Sequence, residues 1–196
     1  KMTVQQVVLE FKKDATQYRR SGGGITISGG EPLMQWKFTL ELLKACKEQG
    51  WSTAIETTAF AKSKIIERVL PYVDLALMDI KSINPQTHKK YTGVSNELIL
   101  KNALCVSKLT KTVIRIPTIP GVNASKEDIL QICHFAKTLH NITTIHLLPY
   151  HTYGENKYEL IGRNYLMKDV KKLTPETIQE LKSVVEGEGF KCIIGG

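Results

Sequence analysis

The chain has 196 residues, of which 42% are hydrophobic and 23% are charged, and this composition predicts one compact domain over 1–196. It has neither an apolar run of about 18 residues nor an amino-terminal signal pattern, so we expect a cytoplasmic protein with no membrane partner. Lysine and arginine number 27 against 19 aspartates and glutamates, which gives a net charge of +8, but the excess is scattered. No basic stripe interleaved with aromatic residues indicates nucleic-acid binding.

The amino-terminal half alternates between helical and strand-like apolar patterns. Apolar residues at helical spacing predict helices over 2–19, 35–49 and 62–71. Thr3 has the residue type and position of an N-cap for the first of them. Short and nearly continuous apolar runs predict strands over 25–28, 51–57 and 73–78.

The same alternation continues in the carboxyl-terminal half. A polar helical region with a turn around Gly93 runs to about residue 109, and Ser125 is expected to cap a later helix. Helices are predicted over 126–139 and 174–186, and strands over 112–119, 142–148 and 190–194. The segment 152–196 consists of a long loop, a helix and a short strand, and is interpreted as an extension of the same domain.

Strands that alternate with helices favour an α/β fold with a parallel sheet. A doubly wound open sheet and a partial barrel both satisfy this pattern, and the periodicity alone does not separate them. In either fold, ligands bind at the carboxyl ends of the strands. Polar residues recur at these predicted ends, namely Gly29-Gly30-Glu31, Glu56-Thr57-Thr58, Asp79, Lys81, Arg115 and His151. If the strands are parallel, these residues converge on one opening.

Several of these residues also have a structural explanation. The Gly29-Gly30 turn serves equally well as a tight strand-to-helix connection. Asp79 and Lys81, two positions apart on one side of a strand, either form an ion pair or bind a zwitterionic or polyol ligand. Arg115 is costly to bury without a partner, so it either pairs with the carboxylate of Glu56 or Asp79 or contacts a ligand.

The histidines and cysteines divide into one candidate ligand and a structural remainder. His151 follows the fifth predicted strand and is either a satisfied loop histidine or a hydrogen-bonding or stacking partner of a ligand. The remaining histidines are interpreted as structural, and they are His88, His134, His140 and His146. The cysteines lie far apart within apolar segments and are interpreted as small hydrophobic residues, and they are Cys46, Cys105, Cys133 and Cys192.

The segment 21–35 (SGGGITISGGEPLMQ) resembles the glycine-glycine-glutamate region of radical S-adenosylmethionine (SAM) enzymes. More narrowly, it is similar to the activating enzymes of glycyl-radical enzymes, of which the pyruvate formate-lyase activating enzyme is the best known. The segments 79–81 (DIK), 113–117 (VIRIP) and 147–151 (LLPYH) resemble later motifs of that family in the same order. The resemblance covers essentially the whole chain and implies an α/β fold, a partial (β/α)6 TIM-like barrel of parallel strands.

The family's C-x-x-x-C-x-x-C loop, whose thiolates hold a 4Fe-4S cluster, does not occur in this sequence. We therefore expect a carboxyl-terminal fragment whose first barrel strand and cluster loop lie upstream of residue 1. On this expectation the chain provides no ligand of the 4Fe-4S cluster, which belongs to the full-length protein only. The isolated fragment is expected to be inactive.

The resemblance also implies roles for individual residues. The backbone of Gly29 and Gly30 would meet the methionyl amino group of SAM, and Lys81 would pair with its carboxylate. The full set implied to bind the cofactor is Gly29, Gly30, Glu56, Thr57, Asp79, Ile80, Lys81, Ile116, Pro117 and His151. A monovalent cation is implied at Glu56, Thr57 and Asp79. The residues implied to contact the client protein are Arg115, Tyr153 and Lys157.

The activity implied by the resemblance is that of a radical SAM oxidoreductase. Such an enzyme reductively cleaves SAM to a 5′-deoxyadenosyl radical, which takes a hydrogen atom from a glycine of a glycyl-radical enzyme such as pyruvate formate-lyase. A flavodoxin or a ferredoxin-type protein is implied as the reductant. Two alternatives remain open: a non-catalytic module that docks a glycyl-radical protein, and a phosphate-binding barrel enzyme that uses the glycine turns.

Overall fold

The computed structural model describes residues 1–152, 158, 160, 162, 164–165, 167 and 169–195. Within these residues, six strands form one parallel sheet, and they are β1 (Gly24–Ile27), β2 (Ser52–Thr57), β3 (Leu75–Asp79), β4 (Lys111–Thr118), β5 (Thr144–Pro149) and β6 (Lys191–Ile194). The α-helices with bounds in these ranges are α1 (Val4–Phe11), α2 (Ala15–Ser21), α3 (Trp36–Glu48), α4 (Ser63–Val69), α5 (Pro85–Thr92), α6 (Glu97–Leu109), α7 (Lys126–Lys137) and α8 (Pro175–Gly187).

The order of the strands decides between the two folds that the sequence left open. Each strand pairs in parallel with the next one in the chain, from β1 to β6 without a reversal. A doubly wound sheet requires a point at which the strand order reverses, whereas right-handed crossovers in sequential order place the helices on a single face. The α/β partial barrel is therefore confirmed, and the doubly wound sheet is excluded for the described residues.

The hydrophobic core lies between the sheet and its crossover helices. Along β2 and β3, Ile55, Ala76 and Met78 are completely buried, whereas Glu56 and Leu77 between them are only half-buried. Successive side chains of a strand point to opposite faces, so the half-buried residues occupy the concave face of the partial barrel. This alternation directs Glu56, Asp79 and Arg115 towards the barrel interior.

The amino-terminal helices cover a second and smaller core beside β1. The single predicted helix over 2–19 is in fact α1 and α2, separated by a 3₁₀ turn over Lys12–Asp14. Val8 from α1 and Tyr18 from α2 both pack on this cluster, and the Tyr18 ring lies 5.4 Å from that of Trp51. The N-cap prediction for Thr3 is confirmed, because its hydroxyl accepts a hydrogen bond from the backbone N–H of Gln6.

One further boundary differs from the sequence prediction for a local reason, and the turn predicted around Gly93 is confirmed. The helix predicted over 62–71 ends as an α-helix at Val69 and continues as a 3₁₀ turn, because Pro71 has no N–H for an α-helical hydrogen bond. The polar region divides into α5 and α6 at Gly93, whose φ of 83° terminates the first helix in the left-handed conformation. The other predicted ends agree with the structure to within two residues. In the described part of the chain, no helix combines the length and the apolar character needed to span a bilayer.

Candidate ligand site at the carboxyl ends of the strands

A bare glycine turn follows β1. Gly29 and Gly30 both have positive φ, 89° and 56°, a conformation that residues with a side chain rarely adopt. At the place where a Cβ atom would stand on either glycine, no atom of the described residues lies within 4 Å. The backbone groups of this turn are thus open to a ligand at the carboxyl edge of the sheet.

The carboxylate of Glu31 holds this turn against the end of β2. One carboxylate oxygen accepts hydrogen bonds from the hydroxyl of Thr57 at 2.6 Å and the backbone N–H of Leu33 at 3.2 Å. The other accepts from the backbone N–H of Thr58 at 2.8 Å and from its hydroxyl at 2.6 Å. The sequence analysis placed Glu31 among the strand-end residues but gave it no role. The signal that could have revealed this role is its position immediately before Pro32, where it acts as the N-cap of a helical turn.

Four charged side chains, Glu56, Arg115, Asp79 and Lys81, form a continuous row across β2, β4 and β3, which we call the charged row. Arg115 donates from Nη1 to Glu56 Oε1 at 2.7 Å and from Nε to Asp79 Oδ1 at 3.0 Å. Lys81 Nζ donates to the other Asp79 oxygen at 3.1 Å, and the hydroxyl of Ser28 donates to Glu56 at 2.6 Å. Arg115 therefore pairs with both carboxylates that the sequence offered as partners.

Glu56 and Arg115 in the charged row stay ionised at neutral pH. Burial alone raises the pKa of Glu56, but hydrogen bonds from Ser28 and Arg115 and the guanidinium charge outweigh it, so this pKa lies below its ordinary value. Burial likewise tends to lower the pKa of Arg115, and the charges and hydrogen bonds of Asp79 and Glu56 raise it. Two anions and two cations compensate one another, which makes the row locally neutral while exposing charged groups of both signs.

His146 extends this row to β5. It pairs in register with Arg115 on one side and with Ile193 on the other, so its side chain shares the concave face. Its Nδ1 atom is buried and has no hydrogen-bond partner in the described part of the chain. Burial, followed by the positive charges of Arg115 and Lys191, lowers the pKa of His146 and keeps it neutral. The alternating pattern of β5 could have placed His146 on this face, but nothing in the sequence indicates its neighbours.

The profile of the radical SAM superfamily matches residues 1–136, a range that contains the glycine turn and the whole charged row. This chain belongs to the radical SAM superfamily. The resemblance carried by segments 21–35 and 79–81 is thereby confirmed. The matched range ends within α7, and β5 lies beyond it.

The relatives of this radical SAM chain include activating enzymes. It is 40% identical over 203 residues to the (2S)-3-sulfopropanediol dehydratase activating enzyme of Klebsiella oxytoca, covering 99% of this chain and 63% of the relative. It is 41% identical over 198 residues to the trans-4-hydroxy-L-proline dehydratase activating enzyme of Clostridioides difficile, covering 99% and 65%. The chain thus spans slightly less than two thirds of the length of these curated relatives.

A solved structure supports the same assignment. The crystal structure of a domain of pyruvate-formate lyase-activating enzyme from Bacteroides vulgatus is 34% identical, with a TM-score of 0.75 over 89% of this chain and 99% of that domain. The similarity to activating enzymes of glycyl-radical enzymes, and with it the partial-barrel fold expected from the resemblance, is confirmed.

Some predicted SAM-binding residues do not direct their side chains to the concave face of this radical SAM barrel. Ile80 and Ile116 are buried in the core between the sheet and the helices, so a ligand could meet only their backbone. Pro117 is the neighbour that alternates onto the concave face. Thr57 is also buried, and its hydroxyl is engaged with Glu31 and with the backbone N–H of Ala59.

The three side chains predicted to hold a monovalent cation do not converge. Thr57 follows Glu56 directly in β2, so the two side chains lie on opposite faces of the sheet. Glu56 and Asp79 share the concave face but are both occupied by Arg115. His151 is exposed beyond the end of β5. Tyr153 and Lys157, which were predicted to contact a client protein, lie outside the described residues.

The described residues fit SAM and do not fit a 4Fe-4S cluster. The bare glycine turn and the charges of Lys81 and Asp79 offer complementary groups to an amino acid zwitterion. Lys81 also borders a cavity of about 150 Å³. By contrast, burial raises the pKa of Cys46, Cys133 and Cys192 to about 11. No group of three metal-binding side chains occurs among the described residues.

Proposed function

We propose that this chain forms the SAM-binding region of an activating enzyme that acts on a glycyl-radical enzyme. The observation that carries the proposal is the meeting of the glycine turn and the charged row at one edge of a sequentially ordered parallel sheet. The family match and the named activating enzymes among its relatives support the same reaction class. Residues 1–196 act as a single domain in this proposal.

The chain's own residues bind and orient the cofactor. The open backbone of Gly29 and Gly30 receives the methionyl ammonium group, and Glu31 keeps this turn in place through β2. Lys81 turns its ammonium group from Asp79 to the carboxylate of SAM, an exchange that costs little because their ion pair is partly exposed. Asp79 then accepts hydrogen bonds from the ribose hydroxyls.

The adenosyl end lies towards β4 and β5 in this proposal. Pro117 on the concave face flanks the adenine, and His151 provides a polar contact. Arg115 remains bound to Glu56 and Asp79 and fixes the shape of the site. When bound beside a reduced 4Fe-4S cluster, SAM would supply the radical chemistry that removes a hydrogen atom from a glycine of the client protein.

We further propose that the cluster cysteines lie amino-terminal to residue 1 in a longer protein. The reductant is a flavodoxin or a ferredoxin-type protein, and the location is the cytoplasm. The four free cysteines of this chain fit a reducing compartment.

The test is SAM binding to the full-length protein with its cluster reconstituted, measured by isothermal titration calorimetry. We expect Lys81→Ala to weaken binding about ten-fold or more, because it removes the cationic partner of the carboxylate. The matched control is Lys101→Ala, an exposed lysine of α6, which should bind as the parent does. Gly30→Ala should also bind poorly, since a φ of 56° is strained for alanine and the turn would have to leave the geometry that receives the ligand.

Three results would contradict the proposal. Equal SAM affinity in Lys81→Ala and Lys101→Ala would remove the charged row from the site. Tight binding of a phosphorylated metabolite such as glycerol 3-phosphate, with none of SAM, would favour the phosphate-binding barrel enzyme. If the protein bound SAM but did not cleave it under dithionite, the alternative of a non-catalytic module that docks a glycyl-radical protein would be favoured.

A further inference from the structure

The pairing between β3 and β4 ends at a proline. The backbone N–H of Ile80 donates to the carbonyl of Arg115 at 2.9 Å, just beyond the last register pair of the two strands, Asp79 and Arg115. In a parallel pair, the next backbone N–H that β4 would donate belongs to the residue two positions after Arg115. That residue is Pro117, which has no N–H. The two strands therefore need another connection at the level of Lys81 and Pro117, where the proposed SAM site begins.

The side-chain amide of Asn123 makes that connection. Its Nδ2 donates to the carbonyl of Lys81 at 2.6 Å and to the carbonyl of Pro117 at 2.7 Å. Its Oδ1 accepts from the backbone N–H of Ile119 at 2.8 Å, so three of its hydrogen-bonding positions are used. Asn123 is almost completely buried, and the turn that carries it includes Gly121 at a φ of 72°.

Asn123 is separated by 42 residues from Lys81, so this contact is set by the fold and by nothing local. The amide bridges the two strands just beyond the missing rung with two hydrogen bonds and ties their backbones together at the carboxyl ends. Lys81 thereby starts from a fixed backbone position as it leaves the sheet. Pro117 is held by the same amide group, so the two residues cannot shift independently.

We propose that Asn123 is a positioning residue for SAM binding, which sets the distance between Lys81 and Pro117. This inference rests on the proposed function, in which Lys81 holds the carboxylate end of SAM and Pro117 flanks its adenine. One amide then controls the spacing of the two ends of the ligand. Asn123 itself contacts backbone carbonyls and acts on the ligand only through the residues it holds.

The chain contains a matched control in Asn102. This asparagine is equally buried, and its Nδ2 also donates to two carbonyls, those of Ala59 and Ala61, both at 2.7 Å. It secures the loop after β2, and none of the proposed SAM-contacting side chains is bonded to it in the described residues. The same substitution at the two positions breaks the same number of donor contacts and differs only in the loop that is released.

The experiment compares Asn123→Asp with Asn102→Asp in the full-length protein with its cluster reconstituted. Aspartate keeps the shape of asparagine and its acceptor oxygen but loses both N–H donors. We expect Asn123→Asp to raise the dissociation constant for SAM about ten-fold or more, the range in which supporting hydrogen bonds act on ligand sites. Asn102→Asp should stay within two-fold of the parent, although both variants lower the melting temperature.

A second measurement and a second pair of variants keep the test decisive. Hydrogen exchange should rise over 80–83 and 117–121 in Asn123→Asp, and over 59–63 in Asn102→Asp. If either aspartate variant does not fold, the alanine variants at the same two positions replace the pair. Unchanged SAM affinity in both folded Asn123 variants, or an equal loss at Asn102, would overturn the inference while the proposed function stands. A parent protein that binds no SAM would overturn both.

Discussion

Replacing Arg115 by methionine tests whether one guanidinium holds the charged row together. Methionine preserves much of the length and packing of the side chain but removes the hydrogen bonds to Glu56 and Asp79. The Arg115 side chain is only 13% exposed, and those of Glu56 and Asp79 are 31% and 19% exposed. The substitution therefore leaves two carboxylates partly desolvated and without their principal cation.

The expected loss of stability follows from that partial burial. Breaking a fully buried ion pair by removing one partner costs about 3–5 kcal/mol. Water reaches Glu56 and Asp79 to some extent, and Lys81 and Ser28 remain as partners, so we expect a loss of about 2–3 kcal/mol at pH 7. With a urea slope of about 2–3 kcal/mol per molar for a chain of this size, the midpoint should fall by about 1 M.

The assay is urea unfolding of the chain at several pH values. Glu56 has a folded-state pKa below its ordinary value, so its contribution is present above that value and is lost as the pH falls. In Arg115→Met the pKa of Glu56 should rise, because burial remains and the guanidinium is gone. The stability gap between the parent and the variant should therefore narrow as the pH falls from 7 towards 4.5.

The matched control is Lys126→Met, which breaks an ion pair with Glu180 whose side chains are 63% and 59% exposed. Such a surface pair contributes about 0–1 kcal/mol, so the control should unfold close to the parent. Adding Glu56→Gln and Asp79→Asn to Arg115→Met should recover much of the loss, because no buried charge remains. If Arg115→Met behaved like the control at every pH, the charged row would not depend on Arg115 and this reasoning would be refuted.

Three further predictions concern separate parts of the barrel. Glu31→Gln should lower the free energy of unfolding by about 1–3 kcal/mol, because it weakens the charge-assisted hydrogen bonds that join the glycine turn to β2. An unchanged midpoint of urea unfolding would contradict this role. His146 has a lowered pKa in the folded chain, so unfolding should become easier as the pH falls below about 6.5. His146→Gln should flatten this dependence between pH 5 and 6.5, with His140→Gln as the exposed control variant; an unchanged pH dependence in His146→Gln would contradict the prediction. Cys133 has a pKa of about 11 and should therefore be only about 0.1% thiolate at pH 8. Iodoacetamide should modify the partly exposed Cys105 first and Cys133 only when the chain unfolds. Labelling of both cysteines at the same rate without urea would contradict the buried position of Cys133.

The sequence by itself determined the secondary structure and the residues available at the strand ends. Apolar runs such as 112–119 and helical spacing over 126–139 are local properties, and β4 and α7 begin and end within two residues of the predicted bounds. Gly29 and Gly30 were recognisable because a glycine pair after a strand marks a backbone position that side chains cannot occupy. The family resemblance rested on such short local segments.

Only the tertiary structure decided the strand order and the partner of each polar group. Sequential pairing from β1 to β6 is a property of the whole sheet, and no local period distinguishes it from a doubly wound order. Arg115 reaches carboxylates 36 and 59 positions away, and Asn123 reaches a carbonyl 42 positions away. Such contacts depend on the register between strands and on which face each side chain occupies. For this reason the sequence named Arg115 and Glu31 as strand-end residues, whereas only the fold gave them their partners and brought Asn123 to the site.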